Sequence, residues 1–179
     1  MSIVRGAPVL FLLIAILIAS ALPAQSPFET IPAALSDTLA FRTPLNDFEA
    51  GDLAGKTWGL ADLRGRVTVV SIWSTWCLPC RKEAPAIQAL SEAARANDKI
   101  QVLTFSLDRD PEAVRSYIEE RGYTFPVIVD PELAGRLFPA GGIPNSWVID
   151  RQGRRSDAFR AWTFGRIVLE AEKLARRPG

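Results

Sequence analysis

The apolar positions of this chain alternate between short runs that suit buried strands and longer stretches that repeat at helical spacing. Val67-Thr-Val-Val-Ser-Ile-Trp73 is apolar and β-branched, follows Arg64-Gly65-Arg66, and predicts a buried strand. From Pro79 to about Asn97, Ala84, Ile87, Leu90 and Ala94 recur at the spacing of one helix face, and Asn97-Asp98 ends the pattern. Gln101 to Leu107 predicts a second buried strand. Asp110-Pro111-Glu112 opens a helix with a capping acid and a first-turn proline, and Gly122 closes it. Further strands are expected at Phe125 to Val129, Ser146 to Ile149 and Arg154 to Ala161, with Arg151-Gln152-Gly153 as the turn between the last two. An amphipathic helix from Thr163 to Arg177 completes the series. Strand, helix, strand, helix, strand, hairpin, helix predicts an α/β domain with a mixed central β-sheet flanked by helices.

The N-terminal pattern is different. No charged residue occurs from Gly6 to Phe28, and Val9 to Ala19 is continuously apolar behind the single Arg5. Residues 1–24 therefore read as an export signal with two fates open, cleavage as a signal peptide or retention as an N-terminal membrane anchor. Ala19-Ser20-Ala21 offers a cleavage site and Leu22 to Ala24 a poorer one, and Arg5 stays on the cytoplasmic side in either case. The rest of the chain is then expected in the periplasm or another extracytoplasmic space. No cysteine follows the apolar run to carry a lipid, which argues against a lipoprotein. Residues 25–44, rich in Pro, Ala, Ser and Thr, read as a linker, and 45–179 as the folded domain. A chain of 179 residues has room for one such domain and its core.

Charge changes the picture by exclusion. With 21 Lys and Arg against 20 Asp and Glu, bulk electrostatics give no reason to expect nucleic acid as a partner. The chain has no histidine, which rules out His-dependent hydrolase or cysteine-protease chemistry. Function must be sought in a local site.

Both cysteines lie in Trp73-Ser-Thr-Trp-Cys-Leu-Pro-Cys-Arg-Lys-Glu-Ala-Pro85. At i and i+3 of a helix start, Cys77 and Cys80 are within reach of a disulfide. As a staple such a short loop contributes only about 2 kcal/mol in the chain-entropy model. As a metal site the pair lacks the remaining ligands that structural zinc needs, since there is no further cysteine and no histidine. A reversible redox centre fits better, and it needs no cofactor. Cys77 sits at the mouth of the helix, where unpaired N–H groups and the dipole favour the thiolate and draw its pKa below the ordinary thiol value. Cys77 is then the attacking sulfur, and Cys80, one turn inside, resolves the mixed disulfide. Pro79 stiffens the turn. Trp76 offers an apolar face that serves either partner contact or surface packing, while Trp73, Trp147 and Trp162 are expected in the core.

Further along, Gly141-Gly-Ile-Pro-Asn-Ser-Trp-Val-Ile-Asp150 places a proline directly before an apolar strand. A cis Ile143-Pro144 bond reconciles the two, because X-Pro is the bond for which cis is cheap.

The two cysteine and proline stretches, in this order, resemble the thioredoxin superfamily and within it the exported thiol-disulfide oxidoreductases of the TlpA, ResA and CcmG type. The resemblance covers about residues 45–176 and is strongest at Gly55 to Val70, Trp73 to Pro85, Phe125 to Pro131 and Gly142 to Asp150. It implies a thioredoxin-like fold with an N-terminal strand extension and a central insertion. It also implies Cys77 as nucleophile, Cys80 as resolving thiol, a cis Pro144 facing them, and Pro85 as the proline that kinks the active-site helix. Where thioredoxins carry a buried Asp and many relatives of this type an Asn, this chain has Ser71, which is no base near neutral pH. Glu83, three residues after Cys80, matches a glutamate near the disulfide in ResA-like proteins. Partial burial would raise its pKa toward a useful acid–base range, although its neighbours Arg81 and Lys82 also suit a solvated helix surface.

The reading that follows is a protein-disulfide reductase. Its expected partners are exported proteins with paired cysteines, such as apocytochrome c or copper-site apoproteins, and a membrane thiol electron donor. Trp76, Pro79, Ile143 and Pro144 are the expected contacts to substrate. Proline before Cys80 and isoleucine before Pro144 resemble the reductant branch more than the oxidant one. A peroxiredoxin-like peroxidase is the nearest rival, but Val70 and Ser74 occupy the Pro and Thr positions of the motif by which those enzymes resemble one another. A non-catalytic binding or metallochaperone module is the other; the absence of histidine and the intact cysteine pair speak against it.

Overall fold

A computed structural model describes residues 43–139, 141–156, 159–160 and 164–176. The expected signal or anchor, most of the linker and Trp162 lie outside the described residues. Nine strands, β1 (Thr43–Pro44), β2 (Glu49–Gly51), β3 (Thr57–Gly59), β4 (Val67–Trp73), β5 (Ile100–Ser106), β6 (Val127–Val129), β7 (Asn145–Ile149), β8 (Arg154–Arg155) and β9 (Phe159–Arg160), occur among these residues. Five helices, α1 (Leu60–Leu63), α2 (Leu78–Arg95), α3 (Pro111–Glu120), α4 (Pro131–Leu137) and α5 (Phe164–Arg176), connect or follow them.

The main sheet runs β1-β8-β7-β4-β5-β6, with β9 also paired to β7, while β2 and β3 form a separate hairpin. The β4, β5 and β6 strands are parallel, and β7 returns antiparallel to β4. All seven residues of β4 and all seven of β5 are buried, as continuous apolar runs covered on both faces should be. Alternation along these strands divides the core. Val67, Val69, Trp73, Ile100 and Val102 meet Ile87 of α2, Tyr117 of α3 and Ile167 of α5. Val70, Ile72, Leu103 and Phe105 meet Leu63 of α1 and Leu133 and Leu137 of α4. Helices therefore flank both faces of a mixed sheet.

Three differences from the sequence expectation have local causes. Strand pairing starts two residues before Leu45, because Thr43 and Pro44 lie beside Arg155 and Arg154 on the sheet edge. A short helix, α4, follows β6, opened by Asp130, whose carboxylate accepts the Leu133 N–H at 2.8 Å. The strand expected from Arg154 to Ala161 is two short ones. Ile149 pairs with Arg155 but Ser146 pairs with Phe159, so β8 and β9 carry one residue more than β7 between these pairs, which is the signature of a bulge. Ser156 bridges the break: its N–H donates to the Val148 carbonyl and its Oγ accepts the Val148 N–H, both at 2.9 Å.

Candidate active site

The end of β4 sets the position of the cysteines. The Leu107 N–H donates to the Trp73 carbonyl at 2.8 Å, and the Trp73 indole N–H donates to Thr104 Oγ1 at 3.1 Å. Trp73 is buried against Tyr117 and Phe125, with ring centroids 5.6 and 6.0 Å away, which is the expected core role. The chain then turns: the Cys77 N–H returns to the Ser74 carbonyl at 3.3 Å, and α2 begins.

Cys77 is the N-cap of α2 and Cys80 lies one turn inside, the two joined in a disulfide with Cα atoms 5.2 Å apart. The Cys77 Sγ accepts the Cys80 backbone N–H at 3.2 Å, the bond a capping oxygen would otherwise take. When the disulfide opens, the same N–H and the helix dipole are aimed at a Cys77 thiolate. Both cysteines are buried, Cys77 at 5% exposed and Cys80 at 2%. Leu78 and Pro79 fill the first turn. Pro85 stands exposed inside α2, which continues through it to Arg95.

Trp76 and Leu78 flank Cys77 in the chain and are 67% and 61% exposed. Leu78 was not apparent as a site residue from spacing; the available signal was an apolar side chain between the two cysteines, on the solvent side of a helix start. Glu83 lies one turn beyond Cys80 and is half-buried.

The proline stretch comes to the same end of the sheet. Ile72 pairs with Asn145, so Pro144 continues the antiparallel register beside Trp73, next to the segment that leads into the cysteines. The Ile143-Pro144 peptide is cis. Pro144 is buried, and Ile143 packs against the cluster that contains Cys77 and Cys80. The Asn145 side-chain amide donates to the Gly142 carbonyl at 2.8 Å and holds this loop. Ser71 lies in the middle of β4 on the α2 face, fully buried, with no hydrogen-bond partner for its Oγ. Among the described residues no cluster of His, Cys, Asp or Glu could hold a metal ion.

A family model described as AhpC/TSA matches residues 42–154. The chain belongs to the AhpC/TSA family. The chain is 31% identical over 110 residues to the thiol-disulfide oxidoreductase ResA of Bacillus anthracis, covering 60% of this chain and 62% of that one. It is 27% identical over 108 residues to the thioredoxin-like protein YneN of Bacillus subtilis, covering 60% and 64%. It thus spans less than two thirds of the length of these curated relatives. Among solved structures, a secreted thiol-disulfide isomerase from Corynebacterium glutamicum is similar at 28% identity and a TM-score of 0.66, covering 74% of this chain and 86% of that one. A thiol:disulfide interchange protein of the thioredoxin family from Chlorobium tepidum is similar at 26% identity and 0.64, covering 74% and 96%. The fold is thioredoxin-like, and α3 and β6 lie between the cysteine and proline stretches, with β6 extending the parallel side of the sheet. In this AhpC/TSA chain the Pro and Thr positions of the peroxidase motif hold Val70, fully buried in β4, and Ser74.

Proposed function

We propose that this chain is a thiol-disulfide oxidoreductase that works outside the cytoplasm as a reductant of protein disulfides. One observation carries the reading: Cys77 and Cys80 are bonded at the N-terminus of α2, with the Cys77 Sγ in the capping position and the Cys80 N–H directed at it. In the reduced chain the Cys77 thiolate attacks one sulfur of a target disulfide, and the other target sulfur leaves as a thiolate. Cys80, deprotonated, then attacks the Cys77 sulfur, forms the intramolecular disulfide and releases the second target thiolate. Two electrons pass to the target, whose thiolates take up the two protons. A membrane dithiol donor restores the pair by the reverse exchange.

Glu83, half-buried one turn from Cys80, is the proton acceptor for the second step, a role that Ser71 cannot fill. Trp76, Leu78 and Pro79 on one side, and Ile143 with Pro144 on the other, receive the target polypeptide. Exported proteins with paired cysteines, of the apocytochrome c or copper-site kind, are the proposed targets, and residues 1–24 the route of export or anchoring. The relatives named as thiol-disulfide oxidoreductase and as secreted isomerase support this reading.

The test is the reduction potential of the Cys77–Cys80 pair, by equilibration with defined glutathione or dithiothreitol buffers. A value near or below about -270 mV, the thioredoxin range, is expected of a dedicated reductant. A value near about -120 mV would turn the assignment round to a disulfide donor.

A further inference from the structure

The turn that presents Cys77 is held by a carboxylate that takes no part in the sulfur exchange. Asp108 lies two residues beyond β5 and is buried, 7% exposed. Its Oδ2 accepts the Thr75 backbone N–H at 2.9 Å and the Ser106 hydroxyl at 2.6 Å, and its Oδ1 accepts the Thr75 hydroxyl at 2.6 Å. The Asp108 N–H donates back to Ser106 Oγ at 3.1 Å. Ser106 is the register partner of Trp73, so this network is fixed to the same strand end from which the cysteine segment departs. An ionised acceptor makes such bonds about twice as strong as neutral ones.

Thr75 is the second residue of the Ser74–Cys77 turn. The third, Trp76, points to solvent, and the fourth, Cys77, caps α2. In the oxidised chain the disulfide also fixes Cys77. On reduction that restraint goes and the Thr75–Asp108 bonds remain. We propose that Asp108 is a positioning residue for the nucleophile: by pinning Thr75 it keeps the Cys77 sulfur in the capping place of α2 while the disulfide is open. This rests on Cys77 being the attacking sulfur, and the test reads that thiol directly, so it succeeds or fails independently of which proteins are reduced.

Clamp and charge act with opposite signs. A carboxylate buried near a thiolate repels it, so loss of the charge alone draws the Cys77 pKa down, whereas loss of the clamp takes the sulfur from the Cys80 N–H and raises it. Asp108→Asn separates the two. Its amide oxygen can take the donors at the Oδ2 place while its NH₂ donates to Thr75 Oγ1, so the clamp stays and the charge goes. Asp108→Ala removes both, and Thr75→Val removes only the hydroxyl bond.

The experiment is the rate of iodoacetamide alkylation of Cys77 in the reduced full chain as a function of pH, located by mass spectrometry, alongside the equilibrium with glutathione. Asp108→Ala should show about tenfold less thiolate than Asp108→Asn at the same pH below the midpoint, and an equilibrium further toward the disulfide than that of the asparagine variant. Asp108→Asn should titrate at or below the wild-type pH. Thr75→Val, which keeps the charge and the Thr75 N–H bond, should titrate above the wild-type pH by a smaller amount. An alanine variant whose midpoint does not lie above that of the asparagine variant, whatever its stability, overturns the proposal. Should Asp108→Ala not fold, Thr75→Val decides: a raised midpoint supports the clamp and an unchanged one sinks it.

Discussion

Trp76 and Leu78 leave apolar surface in water on either side of a sulfur that is itself nearly enclosed, so a partner that covers them gains burial just where exchange must happen. Trp76→Ala and Leu78→Ser are each expected to raise KM for protein disulfides roughly five- to thirtyfold, equivalent to about 1–2 kcal/mol, while the equilibrium with glutathione stays as in the wild type. Glu83→Gln should show the opposite split. It keeps KM and slows release of the mixed disulfide about tenfold or more, seen by quenching the reaction and counting trapped complexes. Unchanged KM in both Trp76 and Leu78 variants would remove the docking role, and unchanged release would remove the proton acceptor. The bonding of the two cysteines and the cis bond before Pro144 were legible in the sequence, from a two-residue spacing and from a proline set directly before an apolar strand. Asp108 was not, because an acid after a strand looks like any loop residue until Thr75 is seen folded back onto it.

The elements whose residues are buried on a regular period were also legible. Val67–Trp73, the α2 face and the Asp110-Pro111 helix start agree with the sequence pattern to within about two residues, since covering both faces of β4 demands a continuous apolar run. Asp130-Pro131-Glu132 repeats the same helix-start signature, yet α4 was hidden because Gly135 and a length of seven residues leave no sustained period. The β2–β3 hairpin was equally silent in the apolar pattern, and only the family resemblance implied a strand extension there: of its six residues only Trp58 is buried, tied by its indole N–H to Asp52 at 2.8 Å. The β7–β8 turn was readable from Gly153, and two constraints meet there. Its φ is +78°, and a Cβ would stand 2.9 Å from Leu60 Cδ1. Asp150, accepting the Gln152 and Arg154 N–H groups at 3.0 and 2.9 Å, locks the same turn. Gly153→Ala is therefore expected to destabilise the chain by about 1–3 kcal/mol, read as a lower urea midpoint with an unchanged slope. A midpoint equal to the wild type would mean that the turn relaxes freely.

Taken whole, the molecule places its chemistry where strand order brings three chain ends together: the carboxyl ends of β4 and β5 and the amino end of β7, a usual position for sites on open α/β sheets. The two core layers beneath depend on helix and strand packing, and the four-residue loop closed by the disulfide adds little to them. Reduction should thus lower stability by no more than about 2 kcal/mol, measured as the difference in urea midpoint between oxidised and reduced chains. A reduced chain that unfolds in buffer would show the bond to be a structural staple instead. The pairing of Cys77 with Cys80 also has a meaning for how the chain matures, because these are the only two cysteines it has. A single chain can never mispair its own thiols, needs no isomerase to sort them, and between encounters with a partner holds either a full charge of two electrons or none.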